Sequence, residues 1–528
     1  MALRASVIAL VFAVYWPCLR FPFIQDDWSW LAHFRFEPST TVLAELLSVK
    51  GSLFFRPLAG LWLYSMYGIF GTNPIPYHVA LLVMLAANTL LVTGIMRVVT
   101  GDRFVSYATG FVYASASAVH LECMLWAVGV YDLGGSFLFL ASLLLFLKGR
   151  FILSATAFFA GCLFKEGVYI LPIIFAGFAI ADAAGLGRSG RRWALRQLAP
   201  LAVAWFAIIM IRLFMISPFS LAAGHAYSMA FSFNRVVHNS GSYLSWMVQS
   251  FVPFLASSGN AMKVVINVWL ILLAGIVLFS CRVGMSICGD NARRKVIAGV
   301  ADGNSHDSRN LTIEGQIRTI RVLAFWTGVA LAPVILLASN RSFRYYTIYS
   351  LPAFIGITFL LLQFVGDFAR LKRRYLNAVI VAIASAAVIL SLIQTHKVLE
   401  EGLDQTTGVD GTNLLVKKGA TVKRVHDGLM RHLPTPPNNA DIFIVGANMG
   451  AIGISSAVRV WYDDESLNVY PLIEVIDRET LEHSWLPVKN PVQGQIIQGA
   501  EAFEWEPGRY FAFELRGDSL APIVLIHK

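Results

Sequence analysis

Apolar runs close to the length of a bilayer crossing recur along most of this chain, and that repetition constrains its fold more than any single motif. A crossing helix needs roughly 20 mostly apolar residues. Such runs fall near 3–20, 75–97, 104–120, 132–148, 151–164, 166–185, 197–216, 263–282, 321–339, 347–366 and 376–395, so the sequence predicts a polytopic all-α membrane bundle of about eleven transmembrane helices. The composition, 56% hydrophobic and 14% charged over 528 residues, is that of an integral membrane protein. No small-residue cleavage site precedes Arg20 and Pro22, so the first run is expected to stay as a helix.

The charges read as topology. A cytoplasmic N-terminus places Arg97/Arg103, Lys148/Arg150, Arg188/Arg191/Arg192/Arg196, Arg293/Arg294/Lys295 and Arg370/Lys372/Arg373/Arg374 all on the cytoplasmic side. That agreement explains the net charge of +10 more simply than an anionic partner does. Loops 21–74, 121–131, 164–167, 217–262 and 340–346 then face outward with everything after His396. In the first of these, RPLAGLWLYSMYGIF (56–70) is apolar but short for a crossing and is expected to lie in the interface. Loop 217–262 suits either another such helix or a short hairpin. Residues 397–528 turn polar, PTPP (434–437) breaks helix, and DIFIVG, AVRVWY and YFAFEL read as strands. The expected division is a transmembrane domain over 1–396 and a small extracytoplasmic α/β domain over 397–528. The five cysteines are scattered without a CxxC pair, so neither a zinc site nor a disulfide framework is indicated.

The chemistry-bearing residues cluster in the outward loops. FPFIQDDWSW (21–30) sets Asp26 and Asp27 between aromatic residues that suit interfacial anchoring. Apolar surroundings raise the basicity of a carboxylate, which suits a general base. The plain alternatives are a helix cap for Asp27 and a solvated loop acid for Asp26. VHLECMLWAVGVYD (119–132) supplies His120, Glu122, Trp126 and Asp132, where ionisable groups beside a membrane are functional candidates. Here His120 also suits bonding to a helix-terminal carbonyl, Asp132 a cap, and Glu122 a salt bridge to a nearby arginine. Arg56, Lys165 and Arg341/Arg344 map to the same face and suit phosphate contacts; local pairing of Lys165 with Glu166 and snorkelling of Arg341 are the alternatives. Cations from three loops facing acids from two describe a site for an anionic, phosphate-bearing ligand.

The order of DDW (26–28), RPL (56–58), FGTNPIPYH (70–78, ending at His78), AVHLECMLWAVGVYD, CLFKEGVYILP and RSFRYYTIYSLP resembles the GT-C superfamily of membrane glycosyltransferases. The resemblance is greatest to its protein O-mannosyltransferase-like branch, which includes transmembrane O-mannosyltransferases with tetratricopeptide tails. It covers residues 1–185 and, more loosely, 340–352. It implies a polyprenyl-phosphate sugar donor, an active site on the extracytoplasmic side and a catalytic acid in the first outer loop; a bacterial inner membrane is the expected location, with a protein, lipid or polysaccharide as acceptor. By the resemblance, Asp26 matches the catalytic acid and Asp27 its neighbour, Glu122 and His120 the second acidic site, Lys165 and Glu166 a conserved turn, and Arg344 with Tyr345 an arginine–tyrosine pair. This chain departs from the pattern in the longer spacing of RYYTIYSLP and in having no tetratricopeptide repeat. Cleaving a sugar–phosphate bond requires a base for the acceptor and positive charge on the departing phosphate, and by analogy with inverting glycosidases predicts single-displacement inversion. Asp26, Asp27 and Glu122 are the donor type that shares a Mg²⁺ or Mn²⁺ ion, a requirement the resemblance leaves undecided. A transporter or flippase of lipid-linked or anionic cargo, or a non-catalytic assembly protein, is the alternative reading.

Overall fold

The computed structural model describes residues 2–48, 54–183, 187–213, 232–253, 313–337, 343–400, 411–446, 451–476, 483–487, 509–517 and 519–523. The expected span at 263–282 and Arg341 lie outside them. The chain opens with α1 (Ala2–Tyr15), followed by three helices within the first long loop, α2 (Asp26–Phe36), α3 (Ser39–Leu47) and α4 (Pro57–Phe70). The apolar run at 75–97 becomes α5 (Pro74–Thr100), whose N-cap Asn73 accepts the Ile75 N–H and whose C-cap is the left-handed Gly101.

The run at 104–120, expected as one helix, is two. α6 (Arg103–Ser115) ends where Ala116 leaves helical geometry at ψ 65°, and α7 (Ser117–Leu125) restarts at once. Every residue of α7 is buried, His120 and Glu122 included. An element with polar residues buried all round must find its partners in protein, and the break lets it turn inward to reach them.

The bundle continues through α8 (Val130–Leu147), α9 (Phe151–Cys162), α10 (Leu171–Ala183), α11 (Gly187–Leu213), α12 (Phe233–Gln249), α13 (Ile313–Ile335), α14 (Leu351–Phe368) and α15 (Arg373–Glu400). Of the two readings of loop 217–262, the described part is a helix, α12. Among the described residues five segments are long and apolar enough to cross a membrane, and 151–162, 166–181, 197–213 and 351–367 are shorter apolar helices. Large apolar side chains face outward on several of them, with Ile152 at 75% and Val203 at 70% exposure, as suits a surface bathed in lipid. Small polar residues join the helices inside: Ser142 and Ser154 bond reciprocally, and Asn88 Nδ2–H donates to Leu133 O at 3.0 Å. At the end of the bundle where α6 begins, Arg373 spans Asp102 and Asp367, at 2.6 Å and 3.1 Å.

α15 runs past the expected boundary near residue 396 to Glu400. Beyond it come α16 (Gly411–His432), β1 (Asp441–Val445), α17 (Ala451–Tyr462), β2 (Asn468–Ile476), β3 (His483–Pro487), β4 (Tyr510–Arg516) and β5 (Ser519–Ile523). The strands form one sheet in the order β3-β2-β1-β4-β5, with β1 parallel to β2 and β4 and both edges antiparallel. AVRVWY (457–462), read as a strand from its β-branched residues, is the second half of α17. Two parallel neighbours need a crossover, and Ile454, Ala457 and Val458 bury one helical stripe against the sheet.

Candidate active site

The acidic pair opens α2, and its two members face different surroundings. Asp26 is exposed. Asp27, 3% exposed, accepts the backbone N–H groups of Ile24 at 3.1 Å, Ala127 at 3.3 Å and Val128 at 3.0 Å. It is therefore not the cap of α2, a position held by Gln25; it ties the first long loop to the turn after α7. Burial pushes the Asp27 carboxyl up to about 8, against the three N–H donors that favour its ionised form. Burial among neighbouring chain also raises Asp26, and the cation of Lys418 opposes that rise.

A tight turn aims Asp26. The Asp27 N–H donates to Ile24 O at 3.0 Å, closing a turn with Gln25 at φ 46° and ψ −116°. Those angles are the first central position of a type II′ turn, which favours glycine, so Gln25 carries backbone strain directly before the acid. The aromatic flanks are packing residues. Phe23 and Trp28 are buried, Trp28 Nε1–H donates to Phe23 O at 2.8 Å, and Trp461 of α17 meets Trp28 edge-on at 5.5 Å. The expectation that these rings anchor in the interface is corrected by the α17 cover over them.

The cations form two interlocked pairs. Arg56 makes a two-pronged contact with Glu166, Nε to Oε1 at 2.9 Å and Nη2 to Oε2 at 2.7 Å. Lys165 reaches Asp132 at 3.2 Å instead of pairing with its neighbour Glu166. The Arg56 guanidinium also lies 4.3 Å from the Phe54 ring and 5.2 Å from that of Tyr131, and Lys165 Nζ lies 5.4 Å from the Tyr345 ring. Gly167 makes the Lys165–Glu166 turn possible: a Cβ there would fall 2.4 Å from the Tyr349 ring.

Glu122 and Arg344 bring the second acidic motif to the late one. Glu122 Oε2 accepts the Arg344 N–H at 2.8 Å, and Arg344 Nη1–H donates to Gln249 Oε1 at 2.8 Å beside the Trp246 ring. Tyr345 stacks on Phe343 at 5.1 Å, and Phe343 in turn lies 6.3 Å from Trp126. His78 and His120 serve backbone: each shares a 3.0 Å bond through Nε2, with Phe21 O and Tyr113 O respectively. Among the described residues, Trp126 Nε1 and Tyr349 Oη are buried without a hydrogen-bond partner, the second of them near Lys165.

No group of three or more His, Cys, Asp or Glu side chains gathers among the described residues in a form that would hold a metal ion. Both oxygens of Asp27 accept backbone N–H groups and Glu122 Oε2 accepts that of Arg344, so these atoms serve the protein's own chain. Two described cations that sequence reading passed over are Arg35 of α2, paired with Asp463, and Lys418, in the C-terminal segment and 7% exposed. The signal for Lys418 was a lysine on the apolar stripe of an otherwise amphipathic helix.

No protein-family model matches the chain. A stretch of 94 residues, 18% of this chain, is 35% identical to the human protein O-mannosyl-transferase TMTC2, and one of 134 residues, 22% of this chain, is 34% identical to its mouse counterpart. The matches span 11% and 16% of those relatives' lengths. Among solved structures, the archaeal oligosaccharyltransferase AglB from Archaeoglobus fulgidus, in complex with an inhibitory peptide and a dolichol-phosphate, is similar at TM-score 0.43 and 14% identity, over 88% of this chain and 64% of that one. ArnT from Cupriavidus metallidurans, bound to undecaprenyl phosphate, is similar at TM-score 0.40 and 14% identity, over 89% and 85%.

Proposed function

We propose that this chain is a glycosyltransferase of the GT-C type that moves a sugar from a polyprenyl-phosphate donor to an acceptor hydroxyl on the extracytoplasmic face of a bacterial inner membrane. The observation that carries the reading is the joining of acids and cations from five distant segments. Asp27 is bonded to the turn after α7, Tyr131 of the following helix α8 lies against Arg56, Arg56 is paired with Glu166, and Lys165 with Asp132 beside Tyr345. The short match to protein O-mannosyl-transferases and the order of the sequence motifs support the same chemistry.

Asp26, exposed at the start of α2, is the base: it takes the acceptor proton as the hydroxyl oxygen attacks the anomeric carbon. The carbon–oxygen bond to the donor phosphate breaks on the opposite side of the sugar, which gives inversion in one displacement. The leaving lipid phosphate needs positive charge, and Arg56, Lys165 and Arg344 are the residues suited to provide it. Glu166 and Asp132 keep the Arg56 and Lys165 heads oriented in the absence of donor, Gln249 orients that of Arg344, and the phosphate competes for the same N–H groups. Trp126 Nε1 and Tyr349 Oη are suited to sugar hydroxyls. Asp27 and Glu122 fix the geometry through backbone N–H groups, with His78 and His120 as backbone ties.

The test uses full-length protein in proteoliposomes with radiolabelled polyprenyl-phosphate mannose, glucose and aminosugar donors. Label passing to an acceptor fraction, and absent with Asp26→Asn, supports the reading. Movement of labelled lipid between leaflets without glycosidic transfer would support a flippase instead and overturn it.

A further inference from the structure

Asp26 opens α2 directly after a strained residue, Gln25, and a strained conformation persists only where its surroundings hold it. One element that touches this turn is α17. Its position 453 is a buried glycine, and a Cβ there would fall 2.7 Å from the Cα of Gln25 and 3.1 Å from its carbonyl oxygen. The obstructing atoms are main chain rather than the tip of a side chain, so they cannot swing aside. Only glycine lets α17 come this close to the turn.

The contact is repeated further along both helices. Trp461 of α17 meets the buried Trp28 ring edge-on at 5.5 Å, and His426 of α16 meets Trp461 in turn at 5.0 Å. Trp28 is bonded back to the turn, since its Nε1–H donates to Phe23 O at 2.8 Å and its backbone N–H to Gln25 O at 3.1 Å. Just past α17, Asp463 adopts the left-handed conformation at φ 54° and makes a two-pronged pair with Arg35 at 2.7 Å and 2.5 Å. Tyr462 Oη–H donates to Leu433 O at 2.6 Å, which fastens that end of α17 to the end of α16. Gly453, Trp461 and Asp463 meet Gln25, Trp28 and Arg35 in the same order, so α17 runs alongside α2 and parallel to it. The Arg35 and Asp463 side chains are 49% and 57% exposed, and exposed pairs contribute little. The support therefore comes from the Gly453 backbone contact and the Trp461 ring.

We infer that Gly453 and Trp461 are positioning residues for the base: α17 braces the Gln25 turn in its strained form and so keeps Asp26 aimed at the acceptor. This rests on the reading of Asp26 as the base. Gly453 sets how near the helix can come to the turn, and Trp461 acts on α2 one turn later, through Trp28.

Two measurements test this. In the first, hydrogen exchange of full-length protein in detergent is followed by mass spectrometry in peptides covering 21–30, where the Asp27 and Trp28 amides close the turn. In Gly453→Ala and in Trp461→Leu those peptides should exchange about threefold to tenfold faster, with peptides of α5 and α8 unchanged. Gly428→Ala is the comparison: its Cβ would fall 2.3 Å from Leu520 Cβ, so it disturbs the C-terminal region and should leave 21–30 as in wild type. Wild-type exchange at 21–30 in both α17 variants, or acceleration that extends to α5 and α8 or that Gly428→Ala matches, overturns the inference, and none of these results needs sugar transfer. In the second, transfer kinetics are compared in Trp461→Leu and Trp461→Phe. A misplaced base lowers kcat with donor KM unchanged, about tenfold for leucine, and phenylalanine, which keeps a ring against Trp28, restores most of it. An unchanged kcat, a rise in donor KM alone, or phenylalanine no better than leucine overturns the inference. Inactivity of the wild-type protein with every donor would instead count against the proposed function, leaving the exchange result standing.

Discussion

Glu122 of α7 accepts the backbone N–H of Arg344 at 2.8 Å, a bond between residues 222 positions apart. It fixes the late arginine–tyrosine turn by its main chain, which leaves the Arg344 side chain to be oriented separately by Gln249. Glutamine at position 122 keeps an acceptor oxygen for that N–H, whereas alanine leaves the buried amide unpaired at a cost of about 1–3 kcal/mol. Glu122→Ala is expected to lower the thermal midpoint and transfer together; Glu122→Gln is expected to hold the midpoint near wild type.

Asp26 is exposed and its side chain is not needed to tie segments together, so its removal separates chemistry from folding. Loss of a general base costs roughly 10²–10⁴ in rate. Asp26→Asn should lower transfer by that order with donor binding and thermal midpoint little changed. Unimpaired transfer in this variant would remove Asp26 from the mechanism.

Arg56 and Glu166 are only partly exposed, at 17% and 20% of their side chains. Breaking such a pair from either side is expected to cost about 3 kcal/mol, because the remaining charge is stranded. A double-mutant cycle of Arg56→Met and Glu166→Met, read by thermal unfolding in detergent, should give a coupling of about 1–3 kcal/mol. Arg56→Lys should also be impaired, since an ammonium lacks the two-pronged fork. A coupling near zero would show that the pair does not hold the turn.

Asp27 sets a pH dependence of stability. Its folded carboxyl lies near 8, above the ordinary value near 4, so the folded protein binds this proton more tightly than the unfolded chain. The contribution is fully present below the unfolded value and is lost as pH rises through about 8. The thermal midpoint should fall between pH 5 and pH 9, and Asp27→Asn should flatten that slope. A midpoint that rises over the same interval would contradict this assignment.

Gln25 gives a backbone test. Its φ of 46° suits glycine, and the strain of a side chain in such a region is of order 1–3 kcal/mol. Gln25→Gly should fold with equal or higher stability and retain transfer. Gln25→Val, β-branched and excluded from positive φ, should lose both.

Much of the frame was legible because membrane insertion imposes length and hydropathy on each segment separately. The runs that became α1, α5, α8 and α15 could be bounded to within a few residues. The split at Ala116 could not, since a local break inside an apolar run leaves hydropathy unchanged and is selected by where His120 and Glu122 find partners. AVRVWY failed for a related reason: its β-branched residues favour strand, and the demand for a crossover between parallel strands overrode them. The acids and cations were visible as residue types in wet loops, but their pairing was not. Neighbouring Lys165 and Glu166 choose distant partners, Asp132 and Arg56, because a turn points adjacent side chains apart.

The sequence by itself determined that this chain is a membrane protein and that its acids and cations collect in the loops between apolar runs, because hydropathy and charge act residue by residue. Only the tertiary structure decided which acid is buried as a tie and which stays exposed. It also brought α16 against the first loop, where Gly419 lies close to Phe21. Those outcomes depend on burial and on contacts across hundreds of residues, which no local pattern encodes.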